Sequence, residues 1–168
     1  MMTHDWDRML VSRIVTDPEQ QRRIKNELIC NCQMLSEIYI YLRSKSKTFP
    51  YLDPKDVARF FIEKLDFKCF DMLHKATLHN ICLETAVQAE QTKGGDTSAA
   101  SKRLFRHQFF EVLIRMSIWL FSNAQIAAEI SGNYSDLTHS QAWYLFLKNK
   151  VKPMYEKEQI PLRDFREQ

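Results

Sequence analysis

The stretch Leu104–Met116, LFRHQFFEVLIRM, decides the fold of this chain. Its apolar residues recur at helical spacing and continue through Trp119 and Leu120, which predicts a helix over residues 105–121. They cover more of the helix surface than a single apolar stripe, which is typical of a helix packed on several sides. We therefore expect this helix to be the most buried element.

The composition favours a helical globular domain. The 168 residues are 45% hydrophobic and 12% aromatic, with only 3 Gly and 5 Pro, which argues for long helices over turn-rich β-structure. The four cysteines (Cys30, Cys32, Cys69 and Cys82) and the lack of a signal-like or membrane-length apolar run predict a reduced, intracellular, soluble protein.

The charges are mixed along the chain. The 24 basic and 21 acidic residues give a net charge of +3 and are interspersed, as on a solvated surface, so we expect no nucleic-acid partner. Small basic clusters at residues 43–47, 102–106 and 148–152 would suit an acidic polymer surface such as a microtubule.

Local signals predict about six helices. Asp17-Pro18 starts one long helix to Ser44, and Asp53-Pro54 starts the next by the same capping device. A short helix is predicted over 5–11, and Thr77 is predicted to cap a helix that runs to Gln91. Ser122 is predicted to cap a helix that ends at Gly132. Thr138 is predicted to cap a helix over 142–151 that stops before Pro153.

These elements divide the chain into five segments. The predicted segments are an N-terminal helix and cap at 1–16, a first helical half at 17–92, a flexible insertion at 93–101, a second helical half at 102–155 and a polar tail at 156–168. The insertion holds Gly94 and Gly95 among small polar residues, which is a loop signal.

Two loops have similar sequences. Leu52 and Leu104 each precede, by five positions, an apolar residue that opens the core face of the next helix, Val57 and Phe109. Both segments resemble the second half of an EF-hand, and the likeness extends to calmodulin-like domains of ciliary and flagellar proteins. The resemblance implies an all-α, EF-hand-like fold with a very short antiparallel bridge between Leu52 and Leu104.

Calcium chemistry is missing from both loops. An EF-hand loop places oxygen ligands at positions 1, 3, 5, 7, 9 and 12, with Gly at position 6. In the loop at 45–56, positions 1, 3 and 5 hold Lys45, Lys47 and Phe49, and position 6 holds Pro50. In the loop at 97–108, positions 1, 3 and 5 hold Thr97, Ala99 and Ser101, position 6 holds Lys102 and position 12 holds Gln108. We therefore expect no metal and no cofactor.

The sequence gives little support for a zinc site or for catalysis. Cys69, His74, His79 and Cys82 form a possible zinc set, but residues five apart on a helix do not share a face and no Cys-x2-Cys knuckle is present. The chain also lacks a phosphate loop, a nucleophile elbow and a His-Glu-x-x-His motif, so we predict no catalytic residues and no enzyme.

The apolar surplus suggests a protein partner. The helices of the second half carry more apolar surface than a small bundle easily covers, which predicts a face that accepts an amphipathic helix. The candidate residues for this face are Phe109, Leu113, Met116, Trp119, Trp143 and Phe146.

The function we expect is a calcium-independent structural or protein-interaction module. The resemblance implies a component of a cilium or flagellum axoneme, with axonemal or microtubule proteins as partners and no membrane. Two alternatives stay open: a calcium-responsive EF-hand sensor or adaptor that binds an amphipathic helix, and an unrelated cytosolic helical adaptor bundle.

Overall fold

The computed structural model describes residues 2–91, 103–132, 136–158 and 160, and these residues are helical with no strand longer than a single bridge. The all-α prediction is confirmed. The helices are α1 (Met2–Arg8), α2 (Pro18–Cys30), α3 (Cys32–Lys45), α4 (Pro54–Lys64), α5 (Met72–Gln91), α6 (Arg106–Ser122), α7 (Ala124–Ser131), α8 (His139–Phe146) and α9 (Lys152–Glu158). A 3-10 turn at Val11–Arg13 follows α1, and a π-helical segment at Leu147–Val151 joins α8 to α9.

The predicted long helix from Pro18 to Ser44 is wrong, because Asn31 divides it. Asn31 leaves helical geometry, and both its backbone N–H and its side-chain amide donate to the carbonyl of Glu27. An Asn side chain that satisfies a carbonyl of the preceding turn competes with the helix ladder and favours such a stop. The chain therefore bends between α2 and α3.

Two predicted caps are also corrected. Helix α5 begins at Met72 and not after Thr77, because Asp71 accepts from the N–H of His74 at 2.8 Å, and the Thr77 hydroxyl donates to the carbonyl of Leu73 inside the helix. Helix α7 is capped by Asn123, whose side chain accepts two first-turn amides, and not by Ser122.

Other local signals behave as predicted. Asp17 and Asp53 cap α2 and α4, each accepting an N–H two residues later, and Pro follows each cap. Thr138 forms a capping box with Gln141. Gly132 ends α7 with a positive φ of 75°, where the lack of a side chain removes the steric cost.

The C-terminal helix extends beyond its predicted end. We expected it to stop before Pro153, but the π segment carries the chain without a break into α9, in which Pro153 is the second residue. Within the predicted polar tail, Glu158 pairs with Lys64 at 2.8 Å and Ile160 is buried. The predicted insertion at 93–101 lies outside the described residues.

The core centres on α6, the helix that we expected to be the most buried. Eleven of its residues are buried, and α5, α8, α7, α3 and α1 all pack against it. Phe109 stacks on Phe61 of α4 with ring centroids 6.2 Å apart, while α8 also packs on α2. Both halves of the described chain thus share one hydrophobic core.

Candidate functional site

The two loops meet where the sequence predicts. Leu104 donates its N–H to the carbonyl of Leu52 at 2.8 Å, forming an isolated antiparallel bridge. Both side chains are buried. Next to the bridge, the guanidinium of Arg103 lies 3.9 Å from the ring centroid of Tyr51. The bridge links the α3–α4 connection to the residues that lead into α6.

Side-chain hydroxyl groups form hydrogen bonds across the α3–α4 loop. The buried Ser46 hydroxyl contacts the Thr48 hydroxyl at 3.0 Å and donates to Asp56 at 3.1 Å. Asp56 also lies 3.5 Å from Arg59. The ammonium group of Lys45 lies 4.7 Å from the ring centroid of Tyr41. The Asp56 carboxylate is therefore held by the hydroxyl of Ser46 and the guanidinium of Arg59. The other end of the segment carries the positive charge of Lys45.

Gln108 has a structural role at the start of α6. Its side chain accepts from the N–H of Phe105 at 2.8 Å and donates to the carbonyls of Thr85 and Ala86 at 3.4 and 3.5 Å. Gln108 is buried. An amide can make these bonds in both directions, whereas an ionised carboxylate can only accept. The preceding positions Thr97, Ala99, Ser101 and Lys102 lie outside the described residues.

The residues predicted to form a partner face lie inside the fold. Phe109, Leu113, Met116, Trp143 and Phe146 are each 0% exposed, and Trp119 is partly buried against the core. Helix α8 lies against α6 and α2 and thereby brings Trp143 and Phe146 into the same core as Phe109. The surplus apolar surface of α6 is covered by the chain's own helices.

Different apolar side chains remain exposed. Met72 and Leu73, in the first turn of α5, are 81% and 73% exposed. Next to them in sequence, Phe70 and His74 stack with ring centroids 5.6 Å apart, and both rings contact Trp119 at 6.0 and 6.1 Å. We call these five residues the aromatic patch. The sequence signal that could have located it is Asp71, a residue type that caps helices, directly before Met72 and Leu73.

Polar contacts support the aromatic patch from one side. His74 lies 3.1 Å from the side-chain amide of Asn123 and 2.7 Å from Asp71. Nearby in sequence, Cys69 donates its thiol to Glu129, which also accepts from Lys150. These bonds tie the α4–α5 connection to α7 and to the π segment.

The four residues weighed as a possible zinc set, Cys69, His74, His79 and Cys82, do not come together as a metal site in the described part of the chain. There, no group of three or more His, Cys, Asp or Glu side chains has the geometry to hold a metal. Cys69 and His74 have the partners given above, and Cys82 is buried. Burial raises the pKa of the Cys82 thiol to about 12. The thiolate form that metals bind is therefore disfavoured at Cys82.

No helix among the described residues is long and apolar enough to span a membrane. Comparison with protein-family models, with curated proteins and with solved structures found no match for this chain.

Proposed function

We propose that this chain is a calcium-independent, EF-hand-like structural or protein-interaction module, and that it works as a component of a ciliary or flagellar axoneme. The observation that carries the proposal is the Leu52–Leu104 bridge, which joins two helix-flanked loops at matching positions. The axonemal setting rests on the sequence resemblance to calmodulin-like domains of ciliary proteins.

The electrostatics of the first loop support calcium independence. Lys45 and Lys47 stand at two positions where a calcium loop has oxygen ligands, and positive charges there repel a cation. Asp56, at the last position, is already bonded to Ser46 and paired with Arg59. A calcium ion would have to displace these contacts. The loop's other carboxylate at a ligand position, Asp53 at the ninth, already accepts the N–H of Lys55 as the cap of α4.

The packing of α6 supports a module without an ion switch. A calcium sensor opens its helices to expose an apolar groove. Here the corresponding apolar side chains, including Phe109 and Met116, are buried against Trp143 and Phe146 in one core. Contact with a partner protein would then involve side chains that stay exposed, foremost Met72 and Leu73 of the aromatic patch.

The first experiment is a calcium titration of the full chain, followed by tryptophan fluorescence and by the thermal unfolding midpoint. We expect both signals to stay unchanged up to millimolar calcium, with magnesium as the matched control. A saturable calcium response that magnesium does not reproduce would overturn calcium independence and would favour the sensor alternative.

The second experiment is proximity labelling in ciliated cells with the wild-type chain and with a Met72→Asp/Leu73→Asp variant. We expect axonemal proteins to be enriched with the wild type and lost with the variant, while Ile29→Asp, which alters an exposed apolar residue on α2, keeps the enrichment. Labelling confined to cytosolic proteins would instead support the unrelated adaptor bundle.

A further inference from the structure

A cavity of about 330 Å³ opens beside the start of α6. Arg8 at the end of α1, Arg43 near the end of α3 and Arg106 at the first position of α6 all line it, together with Asp5 and Tyr39. Arginines from three separate helices therefore line one space. Such a cluster differs from a solvated helix face, because distant parts of the sequence have to converge to form it.

The charges of the described residues that line this cavity are unbalanced. Three arginines carry three positive charges and Asp5 carries one negative charge, which leaves an excess of two positive charges. Like charges brought together at the edge of a protein repel one another. A bound anion with two negative charges would remove this repulsion.

The hydrogen-bonding state of the cavity wall points the same way. The Nε atom of Arg43 is buried and has no hydrogen-bond acceptor among the described residues, while its guanidinium carbon lies 5.7 Å from the ring centroid of Tyr39. Arg106 pairs with Asp5 at 2.7 Å. Arg43 forms no ion pair among the described residues, so an anion in the cavity would be its charged partner, bound through the terminal amino groups because Nε is closed off from solvent.

Tyr39 adds a neutral donor. Burial raises the pKa of its hydroxyl, while the neighbouring Arg43 and Arg106 lower that pKa to a smaller extent. The hydroxyl therefore stays protonated at neutral pH. A protonated hydroxyl can donate to an anion beside the guanidinium groups.

We propose that this cavity binds a phosphate group. Planar guanidinium forks match the oxygens of phosphate and bind them bidentately, and a phosphate dianion matches the excess of two positive charges. The ring of Phe105 is 48% exposed and stacks parallel to His107, with centroids 6.1 Å apart and planes 7° apart. Both residues line the cavity and can contact the organic part of a phosphate monoester.

The phosphate site does not depend on the function proposed above. It uses α1, α3 and the start of α6, and none of the residues of the aromatic patch. If the chain proved to bind calcium, the phosphate-site proposal would be unaffected. If the cavity proved not to bind phosphate, the proposed interaction module would be unaffected.

The test is isothermal titration of the full chain, in chloride buffer, with inorganic phosphate and with O-phosphoserine, using serine as the unphosphorylated control. We expect one saturable site for phosphate groups and none for serine. Arg8→Gln and Arg43→Gln should each weaken binding at least about tenfold, since each removes charge-assisted hydrogen bonds. Arg13→Gln, an exposed arginine outside the cavity, should leave binding unchanged.

The two probes separate the sources of the phosphate. Tighter binding of O-phosphoserine assigns the site to a phosphate monoester, and equal binding assigns it to free phosphate. Thermal unfolding of each variant establishes that it is folded, and Arg8 is exposed, so that its replacement leaves the core untouched. The proposal is overturned if neither probe binds saturably, or if Arg8→Gln and Arg43→Gln bind as tightly as Arg13→Gln.

Discussion

The backbone N–H of Leu104 donates to the carbonyl of Leu52 over 2.8 Å, and both side chains are buried in the same core. A single bridge supplies little hydrogen-bonding energy, because folding exchanges such a bond for bonds to water. Its importance lies in fixing the α3–α4 connection against the residues that lead into α6. The bridge thereby brings two helix pairs together around Phe61 and Phe109.

The two bridge residues should be energetically coupled. Leu52→Ala and Leu104→Ala should each lower the free energy of unfolding by about 2–5 kcal/mol, because each removes a fully buried side chain. Side chains opposite each other in an antiparallel bridge are in contact, so the double variant should deviate from additivity by about 0.5 kcal/mol or more. Chemical denaturation of the four proteins gives this number. Strict additivity would contradict the contact.

Met116 and Met72 provide a matched test of which apolar residues are in the core. Met116→Ala should cost about 2–5 kcal/mol in unfolding free energy, since this side chain is 0% exposed. Met72→Ala should change it by less than about 0.5 kcal/mol, since Met72 is 81% exposed. Denaturant titration compares the two variants directly. Similar costs for both would mean that the closed packing of α6 is incorrect.

Gln108 should contribute to stability through its side-chain amide. Gln108→Ala leaves the N–H of Phe105 and two carbonyls of α5 without this partner, so we expect a loss of about 1–3 kcal/mol. Gln125→Ala, at an exposed position of α7, is the control and should be nearly neutral. Thermal unfolding measures both. An equally small effect at the two positions would remove the structural role assigned to Gln108.

Tyr155 should make stability depend on pH in the alkaline range. Its hydroxyl donates to Glu37, and this bond, with a smaller effect of burial, raises the pKa of Tyr155 from 10.0 to about 12. Because the folded-state pKa is the higher one, the contribution is complete below pH 10 and is lost as the pH rises toward 12.

Tyr155→Phe removes this alkaline contribution and, at neutral pH, should cost about 1.5 kcal/mol. The difference in unfolding free energy between wild type and variant should shrink as the pH rises above 10. Tyr144→Phe serves as the control, since Tyr144 is an exposed tyrosine of α8. A difference that stays constant with pH would mean that the bond to Glu37 is not formed in solution.

The cysteines should differ in reactivity. Cys82 is 0% exposed, and burial raises the pKa of its thiol to about 12, whereas Cys30 is exposed. Since the thiolate is the reactive form, a maleimide should label Cys30 in the native protein and Cys82 only after denaturation. Mass spectrometry of peptides from native and denatured samples identifies the labelled sites. Rapid native labelling of Cys82 would place α5 outside the core.

Local signals in the sequence were sufficient where the cause is local. Asp17, Asp53 and Thr138 cap helices as predicted, and Gly132 ends α7, because these residues act on backbone groups within a few positions. Such short-range hydrogen bonds depend little on the rest of the chain. The break at Asn31 is local as well, but the apolar spacing on both sides of it resembles one continuous helix.

The sequence by itself determined the helical class and the high burial of α6, and the likeness between the two loop sequences implied the bridge between Leu52 and Leu104 that the structure contains. The tertiary structure alone decided which apolar surface stays exposed. Apolar periodicity shows that a helix has a face to bury, but not what covers it: α8 covers α6 and places Met116, Trp143 and Phe146 in the core. It also decided that Arg8, Arg43 and Arg106 share a cavity, since their convergence depends on how three helices pack.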